Sequence, residues 1–283
     1  ASPSNWVWGS IRGGDANKGT DPGDFNTINP IQRFETDATN VNLLENWNGL
    51  YEGIARSNNV LRLLLNKGED VTDADVVRLS AQARFLRGHY YFQLKRNFDN
   101  VPYVDETVDY GTGLEDVVNN VEIWPKIEAD FQYAADNLAD TQSQIGRVNS
   151  WAAKAYLGKV FLYQGKFPQA KTIFDDVIAN GVTSSGEKYG LLDNYGNLFR
   201  GEYDNSEESI WAYQSAAGTG SVNNANPEFD LNNPYNSAAP GVCCGFFAPS
   251  FTFVNSFRTS ANGLPLLDGS YNTPANLVKN DMG

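Results

Sequence analysis

Asp15, Asn17, Gly19 and Asp21 alternate as the residues do in the first half of a calcium loop, where oxygens at every second position converge on one ion. The bidentate Glu that would close such a loop is missing, and Asn26 stands in its place. Residues of these types also build turns by hydrogen-bonding their own backbone. The spacing thus sets a turn-rich loop against a calcium site; no other cofactor is implied. Paired carboxylates are the second chemistry on offer, because glycoside hydrolysis needs only two of them at the right separation in space. Glu207 with Glu208, or Asp15 with Asp24, are candidate pairs, although most of the 34 acidic residues must simply be solvated surface.

Other reactive groups are few. His89 is the only histidine and lies within FLRGHYYF, among aromatics, where a structural role is expected. No G-x-S-x-G, H-E-x-x-H, G-x-x-x-x-G-K-[ST] or strand-linked G-x-G-x-x-G occurs, so four enzyme classes lose their usual sequence support. Cys243 and Cys244 are adjacent, and a disulfide between neighbours needs a strained or cis peptide; they read as two thiols in a loop rather than as metal ligands. Lys and Arg total 21 against those 34 acids, giving a net charge of −13, which repels nucleic-acid backbones and anionic lipid. No apolar run approaches the roughly 18 residues of a membrane helix.

What the sequence has in excess is aromatic rings, 13% of 283 residues. A flat ring stacks on the apolar face of a pyranose while nearby Asn and Asp bond its hydroxyls. Two Asn- and Gly-rich stretches mix these types: Trp6 to Asn26, and a later one containing Asn223, Asn224, Asn226, Phe229, Asn232, Asn233, Tyr235, Phe246 and Phe247. Residues 1–40 carry Trp6, Trp8, Ile11, Phe25, Ile28 and Ile31, enough apolar anchors that this segment is expected to pack.

These loops need a frame. From Val41, Leu43, Trp47, Leu50, Tyr51, Ile54, Asn58 and Leu61 fall at steps of three and four, predicting an amphipathic helix that ends near Gly68. A second is expected from Thr72 or Asp73 to Asn97, antiparallel to the first. Further helices are predicted over Asn119–Leu138, from Ser150 as cap to Gln164, and over Phe167–Ala179, the last closed by Asn180 and Gly181. A short one should cover Phe251–Phe257. Leu157, Gly158, Phe161, Ala170 and Phe174 have tetratricopeptide-repeat spacing, in which a small residue lets paired helices approach and aromatic knobs fill the gap; Leu86, Gly88 and Tyr90 echo it. The fold class is mainly α: a helical-repeat scaffold over 41–181, with loop-rich, ligand-binding regions at 1–40 and 182–283. Trp47, Trp151, Phe161 and Phe174 belong to that scaffold.

Several ordered segments together resemble the SusD/RagB family of lipoproteins: NWNGLYEGIARSNNVL, QARFLRGHYYFQLKRNFDNVPYV, SWAAKAYLGKVFLYQGKFPQAKTIFDDVI, EESIWAYQ, and the order GFFAPS, NSF, DG at 245–269. The resemblance implies a single SusD-like domain with tetratricopeptide-like helix pairs, held at the extracellular face of the outer membrane by a lipid anchor. It implies capture of oligo- or polysaccharide without cleavage and delivery to a SusC-like TonB-dependent transporter. The family's lipidated cysteine with its signal, and the C-terminal portion of a protein nearly twice this long, are not in the sequence, which reads as a fragment cut at both ends. Carried onto this chain, the family's glycan surface falls on Trp8, Asp15, Asn17, Phe25, Asn26, Tyr235 and Phe246; where relatives often place a Trp before the GFFAPS-like stretch, this chain has Cys243 and Cys244. The acidic charge favours a neutral glycan. Two other readings stand beside it: a helical-repeat module that binds a protein partner, and a glycosidase using an unrecognised carboxylate pair.

Overall fold

The 3.6-residue periodicity becomes α-helix along most of its predicted length. In chain order the helices are α1 (Asn29–Gln32), α2 (Val41–Leu65), α3 (Asp73–Phe98), α4 (Trp124–Asn137), α5 (Ser150–Tyr163), α6 (Phe167–Asn180) and α7 (Phe251–Ser256). The strands among the described residues are β1 (Ala16–Asn17) and β2 (Ala248–Pro249), two residues each. The computed structural model describes residues 7–108, 111, 117–214, 218–219, 245–246 and 248–277. The chain forms two units, Ala1–Gly49 with Ala216–Gly283 and Leu50–Ser215, the division falling inside α2. The architecture is mainly α, as predicted, and no helix among the described residues is long and apolar enough to cross a membrane.

Caps and prolines set the helix ends. Thr72 starts α3 by accepting the Asp75 amide at 3.1 Å, a cap worth about 1 kcal/mol. Helix α4 begins at Trp124 rather than Asn119, because Pro125 fits only the first turn and the Glu122 carboxylate receives the Trp124 amide at 3.0 Å. The cap of α5 is Asn149, not Ser150: its side chain accepts the Ala152 amide at 2.8 Å and donates to the Asp140 and Val182 carbonyls. Gly165 follows α5 with φ +70°, the left-handed stop that glycine favours. Gly181 ends α6 for a different reason. Its backbone is extended, at φ −67°, but a Cβ there would run into the Val177 carbonyl and the Tyr189 ring.

In the Leu50–Ser215 unit α3 packs on α4, α4 on α5 and α5 on α6. The repeat-like glycines lie at close helix–helix contacts. A Cβ on Gly158 would be 2.8 Å from the Phe174 ring, and one on Gly88 would be 3.3 Å from Phe131. Phe85 meets Phe131, Tyr156 and Trp211 edge to face at 5.4, 5.0 and 5.1 Å. Burying each such ring contributes about 2–3 kcal/mol, and each edge-to-face pair about 0.5–1.5 more. The excursion after α3 is pinned by side chains: Tyr91 exchanges hydrogen bonds with both backbone groups of Val104, and Tyr51 donates to the Pro102 carbonyl at 2.7 Å. Burial pushes the Tyr91 phenol well above its ordinary range, against the lowering effect of its bond to Val104. His89 has the structural surroundings its sequence context predicted, between Tyr90, Tyr156 and Trp211.

Candidate functional site

The first unit folds its loop-rich segments around a small apolar core. Val7, Trp8, Ile11, Ala16, Ile28, Ile31 and Phe246 are buried together, with Leu43 of α2 packed against them. Within residues 7–40 the anchors Trp8, Ile11, Ile28 and Ile31 pack as predicted, whereas Phe25 stays exposed. A five-residue π-helical turn, Val7–Ile11, places Trp8 and Ile11 inward. β1 then pairs antiparallel with β2, Ala16 opposite Pro249 and Asn17 opposite Ala248. Ser250 extends the junction: its amide donates to the Asp15 carbonyl at 2.9 Å and its hydroxyl to the Gly14 carbonyl at 2.6 Å. The same hydroxyl accepts the Phe253 amide at 3.1 Å and so caps α7. Two segments more than two hundred residues apart in sequence are joined by backbone. Gly19, at φ +69°, allows the closest approach, for a Cβ there would collide with the Gly245 carbonyl.

Between β1 and α1 the chain turns over residues 18–28. Asp21 accepts the Gly23 amide on Oδ1 at 2.7 Å, and Asn29 donates to the Pro22 carbonyl at 3.1 Å. Lys18 is buried, 2% exposed, with its ammonium on the Asp21 carbonyl at 2.8 Å and on the Asp24 carbonyl. Phe25 follows in the left-handed region, φ +43° and ψ +43°, and its carbonyl accepts the Ile28 amide at 3.0 Å. Its ring is 60% exposed and meets buried Phe246 edge to face at 5.3 Å. At the far end Asp37 receives the Thr39 hydroxyl and amide, which hold its carboxyl below the usual range.

The residues expected to face a glycan separate by burial. Phe25, Asn26 and Asp15 are exposed and Asn17 is half-buried, all on one segment. Trp8 and Phe246, at 7% and 3%, are core, which corrects the expectation that their faces lie open to stack on a sugar. Phe246 instead backs Phe25 from beneath. Tyr235, Cys243 and Cys244 lie outside the described residues. Several groups of the calcium half-loop have other partners. Asn17 lies in β1, Asp21 bonds its own turn, and the carbonyls at Asp21 and Asp24 receive the Lys18 ammonium. Among the described residues no three His, Cys, Asp or Glu side chains gather as metal ligands.

Residues 21–162, half of the chain, match the profile of a SusD-like family described as starch-binding and associating with the outer membrane. The chain belongs to the SusD-like family. A SusD-like protein of Bacteroides ovatus is 30% identical over 194 residues, 64% of this chain and 34% of the relative. Among solved structures, a laminarin-binding SusD-like protein superposes with a TM-score of 0.63 at 31% identity, covering 76% of this chain and 48% of that one. A structure solved with a xylogluco-oligosaccharide gives 0.56 at 27% identity over 75% and 43%. The chain thus spans about a third of that curated relative and about half of the solved ones.

The structural roles of three residues of this SusD-like unit escaped the sequence reading: Lys18, Gly19 and Ser250. Gly19 sits in the alternation that suggested calcium, and its φ is legible only once Gly245 is seen opposite. Lys18 reads as a surface charge in any pattern analysis, because lysines are almost never fully buried. Ser250 before an apolar run is a recognisable helix cap, but its partner at Gly14 is invisible in sequence.

Proposed function

We propose that this SusD-like protein binds a neutral oligo- or polysaccharide at the extracellular face of the outer membrane, leaves it uncleaved, and passes it to a SusC-like TonB-dependent transporter. The observation that carries the reading is the exposed ring of Phe25, held in a conformation that non-glycine residues rarely adopt and braced edge-on by buried Phe246. A large apolar ring kept in water by a constrained backbone is a site in waiting, and strain of this kind collects at ligand clamps. Asn26, the next residue, and Asp15, exposed on the same segment, supply amide and carboxylate partners for sugar hydroxyls. Stacking and hydrogen bonding of this sort need no titrating acid or base. The net charge of −13 favours an uncharged ligand.

Affinity electrophoresis in native gels containing laminarin, xyloglucan or starch tests the proposal, with polygalacturonate as the polyanionic control. Retardation by at least one neutral glucan, none by the polyanion, and no new reducing ends after prolonged incubation are expected. Migration unaffected by every neutral glycan overturns the binding claim, and release of reducing ends by the pure protein overturns the non-catalytic one. Transfer is tested separately, by co-purification with the transporter from outer membranes.

A further inference from the structure

We propose that Lys18 is the built-in cation of this segment, a positioning residue whose ammonium does what a bound metal ion does in a calcium loop and so sets Phe25 for glycan contact. A buried ammonium is costly unless its donors are satisfied. Here it is met by backbone carbonyls, those of Asp21 and Asp24, with the Phe246 ring 5.8 Å from Nζ. Carbonyl oxygens converging on a positive charge are the same chemistry by which a turn holds calcium. The Asp24 carbonyl belongs to the peptide that ends at the Phe25 nitrogen, so gripping it restricts rotation about φ of Phe25. The Ile28 amide, bonded to the Phe25 carbonyl at 3.0 Å, restricts the peptide on the other side. Phe246 touches both partners: Phe25 stands edge-on to it at 5.3 Å and the ammonium lies over its ring. At the other end the Lys18 amide donates to Gln32 Oε1 at 2.7 Å, tying the segment to α1. One side chain thereby fixes the turn, the left-handed residue and the ring beneath it. This inference rests on the glycan reading for its functional half only.

The test pairs hydrogen exchange over residues 19–28 with retardation by laminarin, for wild type, Lys18→Met, Lys18→Arg, Phe25→Ala and the Lys18→Met/Phe25→Ala double variant, each with and without EDTA. In Lys18→Met the helical circular dichroism is expected to persist while exchange over 19–28 accelerates at least tenfold and retardation falls at least tenfold. Lys18→Arg should recover most of both. Because Lys18 acts through Phe25, the double variant should bind no more weakly than Phe25→Ala alone, whereas a residue that contacts sugar itself would add its own loss. Wild-type exchange should ignore EDTA. Unchanged protection in Lys18→Met, fully additive losses in the double variant, or wild-type protection that collapses in EDTA each overturn the proposal. Should Lys18→Met also lose helical signal, Lys18→Gln, which keeps a donor but not the charge, reads the same two quantities. If laminarin does not retard even the wild type, the exchange and EDTA measurements still decide whether Lys18 orders the segment.

Discussion

Arg87 on α3 and Asp130 on α4 face each other through two parallel hydrogen bonds, Nε to Oδ2 at 2.7 Å and Nη2 to Oδ1 at 2.8 Å, with the two side chains 4% and 1% exposed. Arg84 adds a third bond to Oδ1 at 2.8 Å, and Asn58 of α2 accepts from Arg87 at 3.0 Å. Glu106, in the excursion after α3, also pairs with Arg87. The cluster therefore ties three helices and a loop to one guanidinium; burial works against its charge, but the hydrogen bond and charge of Asp130 more than offset this and keep it firmly protonated. Removing one member strands a charge in the core. Asp130→Asn is expected to cost about 3–5 kcal/mol. Replacing both by well-packed apolar residues, as in Arg87→Met/Asp130→Leu, should cost less than the two single changes combined. Urea melts followed at 222 nm supply the cycle, and additivity would mean that the pair is not coupled.

Gly158 lies against the Phe174 ring so closely that Gly158→Ala must push that ring off its rotamer. Overpacking of this size costs about 1–3 kcal/mol, more than the few tenths to 1 kcal/mol that alanine normally gains over glycine inside a helix. Gly158→Ala is therefore expected to lower the thermal midpoint, and Phe174→Leu in the same chain to restore part of it. Stabilisation by Gly158→Ala alone would show that the α5–α6 contact has slack.

The helical frame was readable because its information is local and repeated. Leu157, Gly158, Phe161, Ala170 and Phe174 state both the period and the close approach within eighteen residues. Boundaries were less legible where the deciding partner is distant or easily mistaken: Asn149 caps α5 while also bonding Val182, and Gly181 is required by Tyr189 rather than by a left-handed turn. The candidate site was legible by composition and illegible by burial. Trp8, Phe25 and Phe246 are equally aromatic, yet whether a ring faces water depends on pairing between β1 and β2, which no short-range pattern encodes. Lys18 is the extreme case, a charge whose burial follows from a loop closing around it.

His89 makes stability depend on pH in a definite direction. Burial first, then the positive charges of Lys159 on α5 and Arg96 on its own helix, push it down from 6.5 to about 4; Nδ1 is shut away from solvent with no partner among the described residues. Tyr90, Tyr156 and Trp211 form the rest of its surroundings. Between those two pH values the unfolded chain carries the proton and the folded chain does not, so acid favours unfolding. The contribution is intact above pH 6.5 and is lost as pH falls towards 4, on the order of 3 kcal/mol in all. Subtracting the stability curve of His89→Leu from that of wild type should isolate this slope. A difference curve flat between pH 7 and 4 would mean that His89 titrates normally in the folded protein.

Phe25 lets backbone strain and ligand contact be told apart in one position. Its φ of +43° penalises any side chain, so Phe25→Gly relieves strain that Phe25→Ala retains. The glycine variant should be the more stable of the two by about 1 kcal/mol, read as slower hydrogen exchange over residues 19–28 or a higher thermal midpoint. Both lose the ring, and both should lose glucan retardation to the same extent, about tenfold or roughly 1.4 kcal/mol. If binding instead tracked stability, falling in Phe25→Ala and surviving in Phe25→Gly, the ring would be a structural plug and the sugar would have to be held by Asn26, Asp15 and their neighbours. Equal loss of binding with unequal stability assigns the ring to the ligand.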